Sequence, residues 1–191
     1  QLWYCVPETS SVVSEDAYVH EKLSGIDEAV PTGFPMLDRN INGGLRKSGD
    51  LGLWVAPTGK GKTAVMVAVA NNCRSLGYNV IYITLETVKE DITTRLRAME
   101  TGIKIDDLVR NQGGFDKEFR TAYRCIRRVT DSNIYIEDLS KSGSRFGTAN
   151  LKEVLARYKR DHNIDIAFLD YADYMDLSEF DSGLGEWSKL I

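Results

Sequence analysis

Cysteine, positive charge and long apolar runs are all scarce in this sequence, and each shortage removes a class of protein. No apolar stretch approaches the roughly 20 residues that a bilayer-spanning helix requires. The first residues carry no basic segment followed by an apolar core, so no signal peptide is evident. Only three cysteines, Cys5, Cys73 and Cys125, occur in 191 residues, and their spacing suggests neither a metal-ligand set nor a disulfide framework. A reducing, cytoplasmic setting is the expectation. Lysine and arginine number 24 against 28 acidic residues, a net charge of −4. No overall basic field therefore draws in nucleic acid, and any such contact needs a local surface. What is left, 42% hydrophobic and 27% charged residues, is the composition of a soluble globular protein with chain enough for one sizeable domain.

The rest of the chain is organised around Ala56-Pro57-Thr58-Gly59-Lys60-Gly61-Lys62-Thr63. This stretch has the spacing and the last two positions of a phosphate-binding loop, G-x-x-x-x-G-K-[ST], with Ala56 in place of the first glycine. The apolar run Leu51-Gly52-Leu53-Trp54-Val55 leads in and predicts a buried strand, and Ala64–Ala70 leads out as a helix. Gly59 and Gly61 would let backbone N–H groups close around a phosphate at the positive end of that helix. Lys62 would reach the β- and γ-phosphates, and the Thr63 hydroxyl would meet Mg²⁺. ATP and Mg²⁺ are the expected ligands, with Pro57, Thr58, Gly59, Lys60, Gly61, Lys62, Thr63 and Ala64 forming the binding loop. The plainer alternative is a Gly/Pro turn that happens to carry Lys-Thr.

Around this loop the texture alternates between strand and helix. Residues 1–30 are mixed and partly polar and read as a linker or N-terminal arm, with 31–191 as the domain. From Pro31 a turn leads into a short helix, closed by Asn42-Gly43-Gly44. Asn79–Leu85 is a β-rich, mostly apolar run suited to a parallel strand buried on both faces, and it ends in Glu86. Ligands of open α/β sheets bind at the carboxyl ends of strands. Glu86 can therefore activate the water that attacks a γ-phosphate, or simply act as a helix N-terminal acid. Val88, Ile92, Leu96 and Met99 form the core stripe of the next helix, with Arg95 and Arg97 placed off it. Phe115, Phe119, Ala122, Tyr123 and Ile126 make a second stripe, backed by Arg120, Arg124, Arg127 and Arg128. That arginine row reads as a solvated face ahead of a phosphate or subunit contact, because acids lie nearby. Asn133–Ile136 is a short strand, 141–147 a loop, and Leu151, Val154, Leu155 and Tyr158 the inner face of a helix. Ile164–Leu169 is a buried strand ending in Asp170, either a Walker B carboxylate for Mg²⁺ or a cap after the strand.

Four segments, in order, carry a family resemblance over about residues 31–176. They are PTGFPMLDRNINGGL, APTGKGKTAVMVAVA, VIYITLETVKEDITTRLRA, and NIYIEDLS followed by LKEVLARYKRDHNIDIAFLDYADYM. Together they resemble the ATPase domain of DnaB-type replicative helicases, within the RecA-like superfamily, where alanine at the first loop position is familiar. The resemblance implies a RecA-like P-loop α/β fold: a mostly parallel β-sheet with helices on both faces. It also implies Glu86 as catalytic base, Lys62 as the phosphoryl-stabilising cation, and Thr63 with Asp170 at Mg²⁺. The function implied is an ATP-driven, ring-forming DNA helicase that moves along single-stranded DNA. Such a protein is a homo-oligomer, typically a hexamer, with a primase or a helicase loader as partner and 5′–3′ polarity. No membrane is involved, and the setting is the cytoplasm of a bacterial or phage-infected cell.

Two departures accompany the resemblance. Asp173 stands where the family commonly has glutamine, and the family's later strands, DNA loops and arginine finger would lie beyond Ile191, so the domain is expected to be incomplete. The alternatives are a strand-exchange recombinase or a RadA- or KaiC-like ATPase on the same fold, or a non-catalytic nucleotide-binding regulator of the replisome. A small-molecule kinase fits less well, since no Arg-rich lid follows the loop.

Overall fold

A computed structural model describes residues 29–47, 49–110, 114–140, 146–171 and 175–176. In chain order its elements are β1 (Ala29–Val30), α1 (Pro35–Asn40), β2 (Leu45–Arg46) and α2 (Lys62–Ser75). There follow β3 (Val80–Thr84), α3 (Lys89–Thr101), α4 (Ile105–Arg110), α5 (Asp116–Val129) and β4 (Ile134–Asp138). The last are β5 (Phe146–Gly147), α6 (Thr148–His162), β6 (Ile166–Asp170) and β7 (Met175–Asp176).

The main sheet has the order β4-β3-β6, all parallel. β3 is apolar up to its last residue, Thr84, and buried at every position, because it lies between two strands and between two helical layers. Its side chains alternate. Val80 and Tyr82 enter a cluster with Val67, Cys73, Ile92 and Leu96 from α2 and α3. Ile81 and Ile83 enter a second cluster, against which Leu151, Val154 and Leu155 of α6 pack. The expected arrangement, a parallel sheet with helices on both faces, is the one observed. Among the described residues no helix is long and apolar enough to cross a membrane.

The segment before α2 is held by a single carboxylate. Asp38 accepts hydrogen bonds from the Thr32 amide (2.8 Å), the Thr32 hydroxyl (2.7 Å) and the Gly33 amide (3.1 Å). Asn72 Nδ2 donates to the Thr32 carbonyl and Cys73 Sγ to that of Pro31, tying the segment to α2. β1 and β2 then pair antiparallel, with Gly44 at φ +140° against the Val30 carbonyl.

Four expectations need correction. Leu51–Val55 is not a strand: residues 51–57 have no regular structure, and Leu51, Leu53 and Val55 are 73%, 67% and 85% exposed. A strand exists only through a hydrogen-bonded neighbour. Among the described residues the run pairs with no strand, and the three-stranded sheet ends at β4 and β6, whose outer edges it leaves open. Tyr123 is 57% exposed rather than on the inner stripe of α5, with Arg127 over its ring, 5.4 Å from the centroid. Phe146–Gly147, read as loop, forms a short parallel ladder with β7. Cys73 is a free buried thiol. Cys125 is disulfide-bonded, which the cysteine spacing did not announce, since spacing along a chain does not report proximity in space. Its partner lies outside the described residues, as do the arm 1–28, Asp173 and the stretch from 177 on.

Candidate nucleotide-binding site

Helix α2 starts at Lys62, and its cap is Gly61 in the left-handed region, φ +91°. A glycine cap has no side-chain acceptor, and none is present, so the first amides of the helix keep their capacity for an anion. Gly59 is also left-handed, φ +74°, and the Lys60 amide donates to the Pro57 carbonyl at 3.2 Å, closing the loop. Both glycines have open space where a Cβ would stand, so backbone conformation alone demands them. Lys62 Nζ donates to the Ala56 carbonyl at 2.9 Å and lies 5.6 Å from the Tyr171 ring centroid.

The carboxyl ends of β3 and β6 complete the site. Leu85 continues the ladder by donating to the Asp170 carbonyl at 2.8 Å. Thr84 then turns the chain, its hydroxyl donating to the Thr87 carbonyl at 2.6 Å and accepting from the Thr87 amide at 3.1 Å. That turn presents Glu86, exposed, two residues past the strand end. The Asp138 carboxylate of β4 accepts from the Lys89 amide at 2.8 Å, so the neighbouring strand anchors the start of α3.

A cavity of about 280 Å³ brings these parts together: Thr58, Gly59, Gly61, Lys62, Thr63 and Ala64 from the loop, with Glu86, Asp170, Tyr171 and Arg95. Pro57 and Lys60, also expected in the loop, are exposed and do not line it. Arg95 and Tyr171 had not been expected there.

Asp170 is only 1% exposed. Its Oδ2 accepts from the Tyr82 hydroxyl at 2.8 Å, while Oδ1 is buried without a partner among the described residues. Burial, then the Asp170 charge, pushes the Tyr82 phenol well above its ordinary range, so it stays a donor; the Arg95 charge pulls the other way. A buried orphan oxygen is unfavourable unless something binds it. Asp170 therefore fits a cation, or a water on one. Among the described residues no cluster of three or more His, Cys, Asp or Glu side chains could hold a metal. A cation here would be held as P-loop proteins hold Mg²⁺, by one hydroxyl, one carboxylate and phosphate oxygens.

Compared with known families, residues 29–188 match the DnaB-like helicase C terminal domain. The chain belongs to that family. Two solved structures agree in fold with this DnaB-like domain. One, described as an ATPase domain, superposes with a TM-score of 0.65 at 19% identity, over 92% of this chain and 62% of that one. The other, a DnaB-like replicative helicase described with its interactions with primase, gives a TM-score of 0.63 at 20% identity, over 92% of this chain and 42% of that one. The chain thus spans less than two thirds of the length of either. No curated protein sequence matches it.

Proposed function

We propose that the chain is the ATP-hydrolysing part of a ring-forming replicative DNA helicase, one that couples hydrolysis to movement along single-stranded DNA and to duplex unwinding. The observation that carries this reading is the meeting of Lys62, Thr63, Glu86 and a buried, half-partnered Asp170 in one cavity at the strand ends. In it the loop amides and Lys62 hold the phosphates, and Glu86 orients the attacking water and takes its proton. Thr63 and Asp170 are the residues to hold Mg²⁺. When bound, Mg²⁺ neutralises charge on the β- and γ-oxygens. Phosphoryl transfer asks a protein mainly for positioning and charge stabilisation, and an arginine from a neighbouring subunit contributes about 10³–10⁵ in rate where it is used. A homo-oligomer, in the family a hexamer, is proposed on that ground.

Single-stranded DNA is the proposed track, with 5′–3′ polarity, and a primase or helicase loader the proposed partner. The cytoplasmic setting rests on the family rather than on cysteine usage. The test is ATP hydrolysis by the complete protein with and without single-stranded DNA. DNA should stimulate turnover, Lys62→Ala should abolish it, and Glu86→Gln should bind ATP without hydrolysing it. Undiminished hydrolysis in Glu86→Gln would remove Glu86 from the chemistry. Tight ATP binding without DNA stimulation would favour a regulatory module.

A further inference from the structure

The core-facing stripe of α3 contains Ile92 and Leu96, buried, and Met99, packed against the same cluster. Helical spacing places position 95 beside them, three residues after Ile92 and four before Met99. The residue at that flank of the stripe is an arginine. Half-buried, Arg95 lines the nucleotide cavity with Lys62, Thr63, Glu86 and Asp170. Among the described residues it makes no hydrogen bond and no ion pair, although two carboxylates share its cavity.

A guanidinium is always charged and presents a planar fork of donors suited to phosphate oxygens. Leaving one partly desolvated and unpaired is unfavourable unless an anion arrives. Its charge also acts on Tyr82, the residue that holds Asp170 at the strand end of the cavity. At that end Glu86 and Asp170 would face an anionic terminal phosphate, and a cation offsets the repulsion.

We propose that Arg95 contacts the γ-phosphate from within the same subunit and is the residue by which this site distinguishes ATP from ADP. The inference rests on the nucleotide-binding reading above. The loop amides serve phosphates common to both nucleotides and Lys62 spans the second and third, whereas Arg95 serves the third alone.

The test is the pair of dissociation constants for fluorescent ADP and for a non-hydrolysable ATP analogue, both with Mg²⁺, in the wild-type protein, Arg95→Gln and Arg95→Lys. Thermal melting is followed in parallel. Losing a charge-assisted hydrogen bond should weaken the ATP analogue by about 10- to 100-fold in Arg95→Gln, with ADP binding unchanged. Arg95→Lys keeps the charge and the aliphatic stem but loses the fork, so its preference should fall between the two. If Arg95→Gln melts early, the ratio in Arg95→Lys decides. Equal weakening of both nucleotides, or no change in either, overturns the proposal. If the ratio is unchanged while Lys62→Ala loses nucleotide, only the Arg95 role fails. A folded wild-type protein that binds neither nucleotide overturns the underlying reading as well.

Discussion

At the scale of single residues, two buried polar groups make the fold sensitive to alkali. Burial, and next the Asp38 charge, pushes the Cys73 thiol from 9.0 up to about 12. A raised folded-state value means that the native state keeps its proton after the unfolded chain has released it. The contribution is therefore complete below pH 9 and is lost as pH climbs toward 12. Tyr82 acts with the same sign, starting near 10. Urea unfolding measured from pH 7 to 11 should give level stability up to about pH 9, then a decline approaching 1.4 kcal/mol per pH unit for each such group. Cys73→Val should delay the onset to the range of Tyr82. Gly44 is a second sensitive point. A Cβ there would sit 2.3 Å from the Val30 carbonyl oxygen in a backbone conformation that L side chains rarely adopt. Gly44→Ala should therefore lower unfolding free energy by about 2–4 kcal/mol in urea titration, through strain and a displaced β1.

Among the elements, helices α2 and α3 are joined by more than apolar packing. Arg74 of α2 bridges Glu100 of α3 at 2.7 Å, both largely buried, and also donates to Asn71. On the exposed side of α5, Arg124 donates to the Arg120 carbonyl and Arg127 to Asp131 and Asn133. Those two arginines are engaged within the chain, in keeping with a solvated face. The run Leu51–Val55 separates pattern from pairing. In this chain Leu53→Ser and Val55→Thr should change stability by less than about 0.5 kcal/mol, because those side chains are already in water. Ile83→Ala, in the fully buried β3, should lose about 2–5 kcal/mol. Equal losses at Leu53 and Ile83 in denaturant titration would mean that the run is packed after all.

For the whole molecule, the sequence by itself determined which stretches are strand and helix in the parallel core, because burial on both faces imposes a continuous apolar run such as Val80–Leu85. It also determined the turn before α2, since left-handed Gly59 and Gly61 and the helix end at Lys62 are local geometry that adjacent residues supply. Glu86 and Asp170 were legible as strand-end carboxylates, because chain order and strand polarity put both at one edge of a parallel sheet. Tertiary structure alone decided the rest. Arg95 reads locally as one more polar residue beside a core stripe, and its place in the cavity depends on how α3 packs against β3 and α2. The Tyr82–Asp170 pair joins residues 88 positions apart, so it exists only after β3 and β6 have registered side by side. Leu51–Val55 has the composition of a strand and joins no ladder among the described residues, because composition sets a preference for burial while pairing is made with partners elsewhere in space.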